Sequence, residues 1–178
     1  MYCWKSININ KDIGLSWLYI TSFLIALISF SIMFIPLSVV HKMATMQEIG
    51  VLYLFIMVLL LPYIHSFMHI LPLLVMHKHT IITFKKNHKL FPSIHYYTKK
   101  YLTKRDFLFV TLSPTIFITI PGIITSYFVA DFYVYILLVT SIHIGITFRD
   151  FLYIIHLTKA PRKSFIDNGS AGIDILSE

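Results

Sequence analysis

Long stretches without Asp, Glu, Lys or Arg divide this chain. Twenty-nine residues separate Asp12 from Lys42, another 29 separate Glu48 from Lys78, and 24 separate Asp106 from Asp131. Each exceeds the ~20 apolar residues that cross a hydrocarbon layer ~30 Å thick. A fourth run, from Phe132 to Phe148, is shorter and would rise only about 26 Å as a helix. It reaches spanning length by continuing through Arg149 and Asp150 to Leu157, which carries two charges into the edge of the membrane. The predicted spans are residues 15–40, 51–76, 107–128 and 132–157.

The connections differ in kind. Residues 41–50 form a short polar link, and residues 129–131 a tight turn that makes the last two spans an antiparallel hairpin. Residues 77–106 are the one long connection. Its runs Thr80-Ile81-Ile82-Thr83-Phe84 and Ser93-Ile94-His95-Tyr96-Tyr97-Thr98 are β-branched and aromatic and are separated by Asn87, Lys89 and Pro92. That pattern predicts a two-stranded hairpin, either lying along the membrane surface with its lysine stems reaching to headgroups or solvated as a basic loop. In the tail, the alternation of Ile173-Asp174-Ile175 after Gly169 and Gly172 predicts a turn and a strand, with the edge of the loop hairpin as its partner. The fold class is thus an all-α membrane protein of four transmembrane helices with a short β-hairpin-like loop between the second and third, in a single domain without internal repeats.

Composition agrees with this partition. The chain of 178 residues is 57% apolar and 13% charged, against about 45–50% and about 25% in soluble domains. The net charge of +7 points to topology before nucleic acid, because 14 of the 15 Lys and Arg residues fall in three places. Lys5 and Lys11 precede the first span; Lys78, Lys85, Lys86, Lys89, Lys99, Lys100, Lys104 and Arg105 fill the second connection; Arg149, Lys159, Arg162 and Lys163 end the fourth span. Basic short loops stay cytoplasmic, so both termini and the long connection are expected inside, facing anionic lipid headgroups. The first apolar run is too long for a cleavable signal peptide and predicts an uncleaved anchor. Cys3, on the inner side, is expected as a free thiol, with acylation the alternative.

Candidate chemistry lies in the second span, Leu61-Pro62-Tyr63-Ile64-His65-Ser66-Phe67-Met68-His69-Ile70-Leu71-Pro72. Four helical residues advance about 400°, so His65 and His69 project from one face a turn apart. Two readings follow: a pair of metal-binding imidazoles, as in helical H-E-x-x-H, or two histidines that hydrogen-bond between helices. Asp150 stands at a matching depth, for it and His69 each lie about 7 residues from the cytoplasmic end, about 10 Å in at 1.5 Å per residue. A His, His, Asp set leaves one tetrahedral position open. Asp150 can alternatively serve a structural ion pair with residues such as Arg149, although helix neighbours do not face each other. His143, seven residues before Asp150, is open to three roles: support for the ligands, alternative ligand, or packing.

Pro62 and Pro72 bracket the histidines, and Pro114 and Pro121 mark the third span; each removes a donor and can bend its helix or serve packing. Trp4, Trp17, Tyr96, Tyr97 and Tyr101 lie near predicted interfaces, as membrane belts require. His77, His79, His88 and His95 read as a surface cluster before a second metal site.

In the order of its features the chain resembles a bacterial family of zincin-peptidase-like membrane proteins, itself similar in layout to the site-two intramembrane metalloproteases. The resemblance rests on Met1-Tyr2-Cys3-Trp4-Lys5-Ser6-Ile7-Asn8, on His65-Ser66-Phe67-Met68-His69-Ile70-Leu71-Pro72-Leu73-Leu74 and on Leu112-Ser113-Pro114. It continues through Asp150-Phe151-Leu152, Leu157-Thr158-Lys159-Ala160-Pro161-Arg162-Lys163 and the tail from Asp167 to Leu176. It implies a zinc site at His65 and His69, with Asp150 matched to the acidic third ligand, in a bacterial cytoplasmic membrane. One departure matters. Ser66 stands where a zincin carries the Glu that serves as general base, and a hydroxyl has no useful basicity near neutral pH. General acid–base assistance is worth about 10²–10⁴-fold in rate, and Glu48 lies too far along the span to substitute. The sequence thus leads to a metal-containing membrane protein of binding or regulatory role without efficient hydrolysis. Its alternatives are an active intramembrane metallopeptidase with an unusual base and a metal-free helical scaffold.

Overall fold

The computed structural model of the chain describes residues 2–41, 49–76, 80–85, 93–98, 101–169 and 172–177. In chain order the elements are strand β1 (Tyr2–Ile7), helices α1 (Ile9–Asp12), α2 (Leu15–Val40) and α3 (Ile49–Val75), strands β2 (Thr80–Lys85), β3 (Ser93–Thr98) and β4 (Leu102–Thr103), and helix α4 (Lys104–Pro114). A π-helical turn, Thr115–Thr119, joins α4 to α5 (Ile120–Phe128). A 3₁₀ turn, Ala130–Phe132, then leads into α6 (Tyr133–Thr158), followed by β5 (Ser164–Gly169) and β6 (Gly172–Ser177). Among the described residues, four helical stretches, Leu15–Val40, Ile49–Val75, Lys104–Phe128 and Ala130–Thr158, are long and apolar enough to cross a membrane. They match the predicted spans to within three residues at either end. The tight turn expected at residues 129–131 is the 3₁₀ turn.

By chain contacts the molecule divides into two compact units. One holds residues 16–65 and 114–149. Its core is Tyr133, Val134 and Leu137 of α6, covered by Phe30, Met33, Phe34 and Leu37 of α2. The rings of Phe30 and Phe34 stack at 5.3 Å, and those of Phe34 and Tyr133 at 6.2 Å. Gly145 lets α6 approach the backbone of α2, for a Cβ there would meet the Ser22 carbonyl. Close approach through small residues is how helices associate where apolar burial gives no driving force. The polarity is inverted relative to a soluble core: Thr119, Ser126, Thr140, Ser141, His143 and Thr147 are buried, while Phe23, Ile28, Ile32 and Ile35 of α2 face outward.

The second unit holds residues 1–15, 66–113 and 150–178 and is built on an antiparallel sheet in the order β1-β6-β5-β4. In β6, Ile173, Ile175 and Ser177 are buried in alternation, and Ile7, Leu102 and Ile166 bury beside them on neighbouring strands. A register shift between Cys3 and Lys5 leaves Trp4 as the extra residue of a bulge in β1. Gly172 closes the β5–β6 hairpin with φ +147°, and a Cβ on it would run into the Ile7 carbonyl; both constraints select glycine. Asn8 caps α1 by accepting the Lys11 N–H at 3.2 Å. Lys104 Nζ donates to the Ala160 carbonyl at 2.7 Å, completing the C-terminal end of α6 just before Pro161, where cations and a following proline are favoured.

The sheet corrects the all-α assignment. The tail makes two strands instead of one, and β6 pairs with β1 at the N-terminus in place of the loop hairpin. The reason is range: Tyr2 pairs with Ser177, and no local pattern announces a partner that distant. The loop hairpin itself forms as expected, β2 against β3 from Thr80↔Thr98 to Lys85↔Ser93. Lys42, Glu48, His77, His79 and His88 lie outside the described residues, as does the side chain of His95.

Candidate metal centre

His69 is positioned through a hydrogen bond that proline chemistry makes available. In α4 the Val110 carbonyl would normally accept from the residue four positions on, but that residue is Pro114, which has no N–H. The carbonyl, fully buried, is instead approached by His69 Nδ1 at 2.9 Å and by Ser113 Oγ at 2.9 Å. In α3 the Met68 carbonyl faces the same deficit at Pro72, and Ser113 Oγ donates to it. Two helices that each carry a proline are thus stitched together by the acceptors those prolines leave behind.

A carbonyl accepts and cannot donate, so the bond to Val110 requires His69 to carry its proton on Nδ1. Its Nε2 is then a lone pair, 3.5 Å from Asp150 Oδ2. Two electron-rich atoms at that distance call for a cation between them, either a proton or a metal ion. The separation also suits a metal: tetrahedral ligands at about 2.1 Å from zinc are about 3.4 Å apart. An imidazole whose other nitrogen donates to a backbone carbonyl is the usual arrangement of a metal-bound histidine.

His65 lies one turn earlier on α3 and meets a different partner. Its Nδ1 is 3.2 Å from His143 Nε2, with the rings edge to face at 63°. His143, fully buried, is held in turn at Nδ1 by Thr119 Oγ1 at 2.8 Å. Thr119 ends the π-helical turn, in which the Ile120 N–H reaches back to Thr115 O. Pro114 and Pro121 flank that turn, and Pro121 cannot supply the N–H that regular α-helix requires of it. Turns of this type recur at functional sites.

The sequence-derived ligands converge. One ligand atom from each of His65, His69 and Asp150 lies within 4.8 Å of the others. Ligand atoms on one tetrahedral zinc stand about 3.4 Å apart, so closing a set that spans up to 4.8 Å takes relative side-chain movements of up to about 1.4 Å. The donor chemistry, two imidazoles and a carboxylate, fits zinc. Asp150 faces His69 and His143 faces His65, so the depth argument from sequence holds for the first pair. Helix spacing and depth do not mark Thr119 or the Val110 carbonyl. The signal that marks them is the proline pair Pro114 and Pro121 around a buried threonine, together with the rule that each proline frees the carbonyl four residues before it. Ser66 lies half-buried between the two histidines on α3.

A family model described as "Putative zincin peptidase" matches residues 58–165, more than half of the chain and all three residues of the cluster. The chain belongs to this family. No curated protein and no solved structure matches it. The family's description implies zinc, and the zincin-type cluster of this chain has Ser66 at the position following its first histidine.

Proposed function

We propose that this zincin-family chain is a multi-pass membrane protein that holds zinc at His65, His69 and Asp150 and acts by binding or regulation, without efficient peptide hydrolysis. The observation that carries the reading is the convergence of the three ligand atoms around a helix whose base position is Ser66. Bound there, zinc would supply Lewis acidity. The chain's own contribution is orientation, with His69 fixed by the Val110 carbonyl. It offers no carboxylate at position 66 to take a proton, and recruiting Asp150 as base would remove a ligand.

The membrane reading is supported by the four apolar helices and by strand pairing. β1, before the first span, pairs with β6 after the last, and β4, between the second and third, pairs with β5. Such pairing supports a topology in which the two termini and the second connection share one side, as four crossings would provide. The concentration of lysine and arginine supports a cytoplasmic placement of that side, with the basic connection against anionic lipid.

A second reading, an active intramembrane metallopeptidase, is favoured by the family's description. Comparing cleavage of membrane peptides by the parent and by Ser66→Glu separates the two. The parent is expected to be inactive, and restoring the carboxylate is expected to raise cleavage from background. Cleavage by the parent that vanishes in His65→Ala would overturn the binding role.

A further inference from the structure

We infer that Thr119 and His143 are positioning residues that set which nitrogen of His65 is available to a metal. The inference rests on the zinc-site reading above and deepens it. Four atoms lie in series: His65 Nδ1, His143 Nε2 at 3.2 Å, and then His143 Nδ1 with Thr119 Oγ1 at 2.8 Å. Each neutral imidazole has one donor and one acceptor nitrogen, so the series runs in one of two senses. In the first, His65 Nδ1–H donates to His143 Nε2, and His143 Nδ1–H donates to the Thr119 hydroxyl oxygen. His65 Nε2 is then a lone pair able to bind metal. In the second, the Thr119 hydroxyl donates to His143 Nδ1, and His143 Nε2–H donates to His65 Nδ1. His65 Nε2 then bears a proton and cannot bind.

The first sense matches His69, whose tautomer the Val110 carbonyl fixes with Nε2 outward. Both histidines of α3 then present the same nitrogen, each with its Nδ1–H bonded to a buried partner. The two partners differ in kind. The Val110 carbonyl can only accept and so selects Nδ1–H on His69, whereas the His143–Thr119 pair holds His65 through groups that can reverse. The π-helical turn is what delivers Thr119 to His143. In the inferred sense the Thr119 oxygen is the acceptor that ends the series, with its donors directed away from His65.

The test uses the full chain in nanodiscs with ¹⁵N-labelled histidine, His65 being assigned by its loss in His65→Ala. Metal-free parent is expected to show His65 as the Nδ1–H form, and Thr119→Val, which takes the hydroxyl acceptor from the buried His143 Nδ1–H, is expected to shift the series and move His65 to Nε2–H. Zinc affinity, read by competition with a chromophoric chelator, should fall about 10–100-fold in Thr119→Val and His143→Ala, the usual range for loss of a ligand's hydrogen-bond partner. Thr119→Ser and His143→Gln retain an acceptor and are expected to hold most of the affinity, which separates positioning from packing. An Nε2–H form of His65 in the parent, or unchanged zinc affinity in Thr119→Val, would overturn the inference. A parent that binds no zinc while showing the Nδ1–H form would end the zinc-site reading and leave the hydrogen-bond series standing.

Discussion

The Met68 and Val110 carbonyls are open to side chains because the residues four positions on, Pro72 and Pro114, carry no N–H. Ser113 and His69 take up these acceptors, so the orientation of His69 depends on a proline in a different helix. Pro114→Ala returns an N–H that competes for the Val110 carbonyl. The expected outcome is a straighter α4 of undiminished helix content together with zinc affinity weakened by roughly 10-fold, a typical cost for disturbing a ligand's supporting bond. Chelator competition measures it, and unchanged affinity would mean that His69 is held by other means. The histidine pair is legible from spacing and Asp150 from its depth, because both follow from helix geometry along one segment. Thr119 is not, since its role depends on a local change of helical register that a one-dimensional pattern does not display.

Among the elements, the four long helices follow from the charge-free runs, and the β2–β3 hairpin from its β-branched composition. The sheet is not legible locally, because β1 carries Lys5 among aromatic residues and its strand partner is at the other end of the chain. The tail's Ile-x-Ile alternation gave the buried face of β6 but not its neighbour. Gly172 is where this pairing is most exposed to test. Gly172→Ala forces a side chain into a positive-φ conformation and against the Ile7 carbonyl, at a cost on the order of 1–3 kcal/mol from backbone strain alone. Faster amide exchange across β1 is the expected result, while parental protection there would contradict the register of β1 on β6.

At the scale of the molecule, charge is sparse within the apolar helices and gathered at their ends; Arg149 and Asp150 are the exceptions, and Asp150 meets His69 at 3.5 Å. An ionisable group within a spanning helix is costly and is usually retained for function. In the function proposed above, the carboxylate and two imidazoles bind a metal, and Ser66 in place of Glu leaves hydrolysis without its base. Zinc content of the purified full chain tests this most directly, measured beside a His65→Ala, His69→Ala double variant and Asp150→Ala. Zinc stoichiometric with the parent, and lost from both variants, is the predicted result. Equal and negligible zinc in all three would contradict it and leave the histidines as hydrogen-bonding groups of a metal-free helical scaffold.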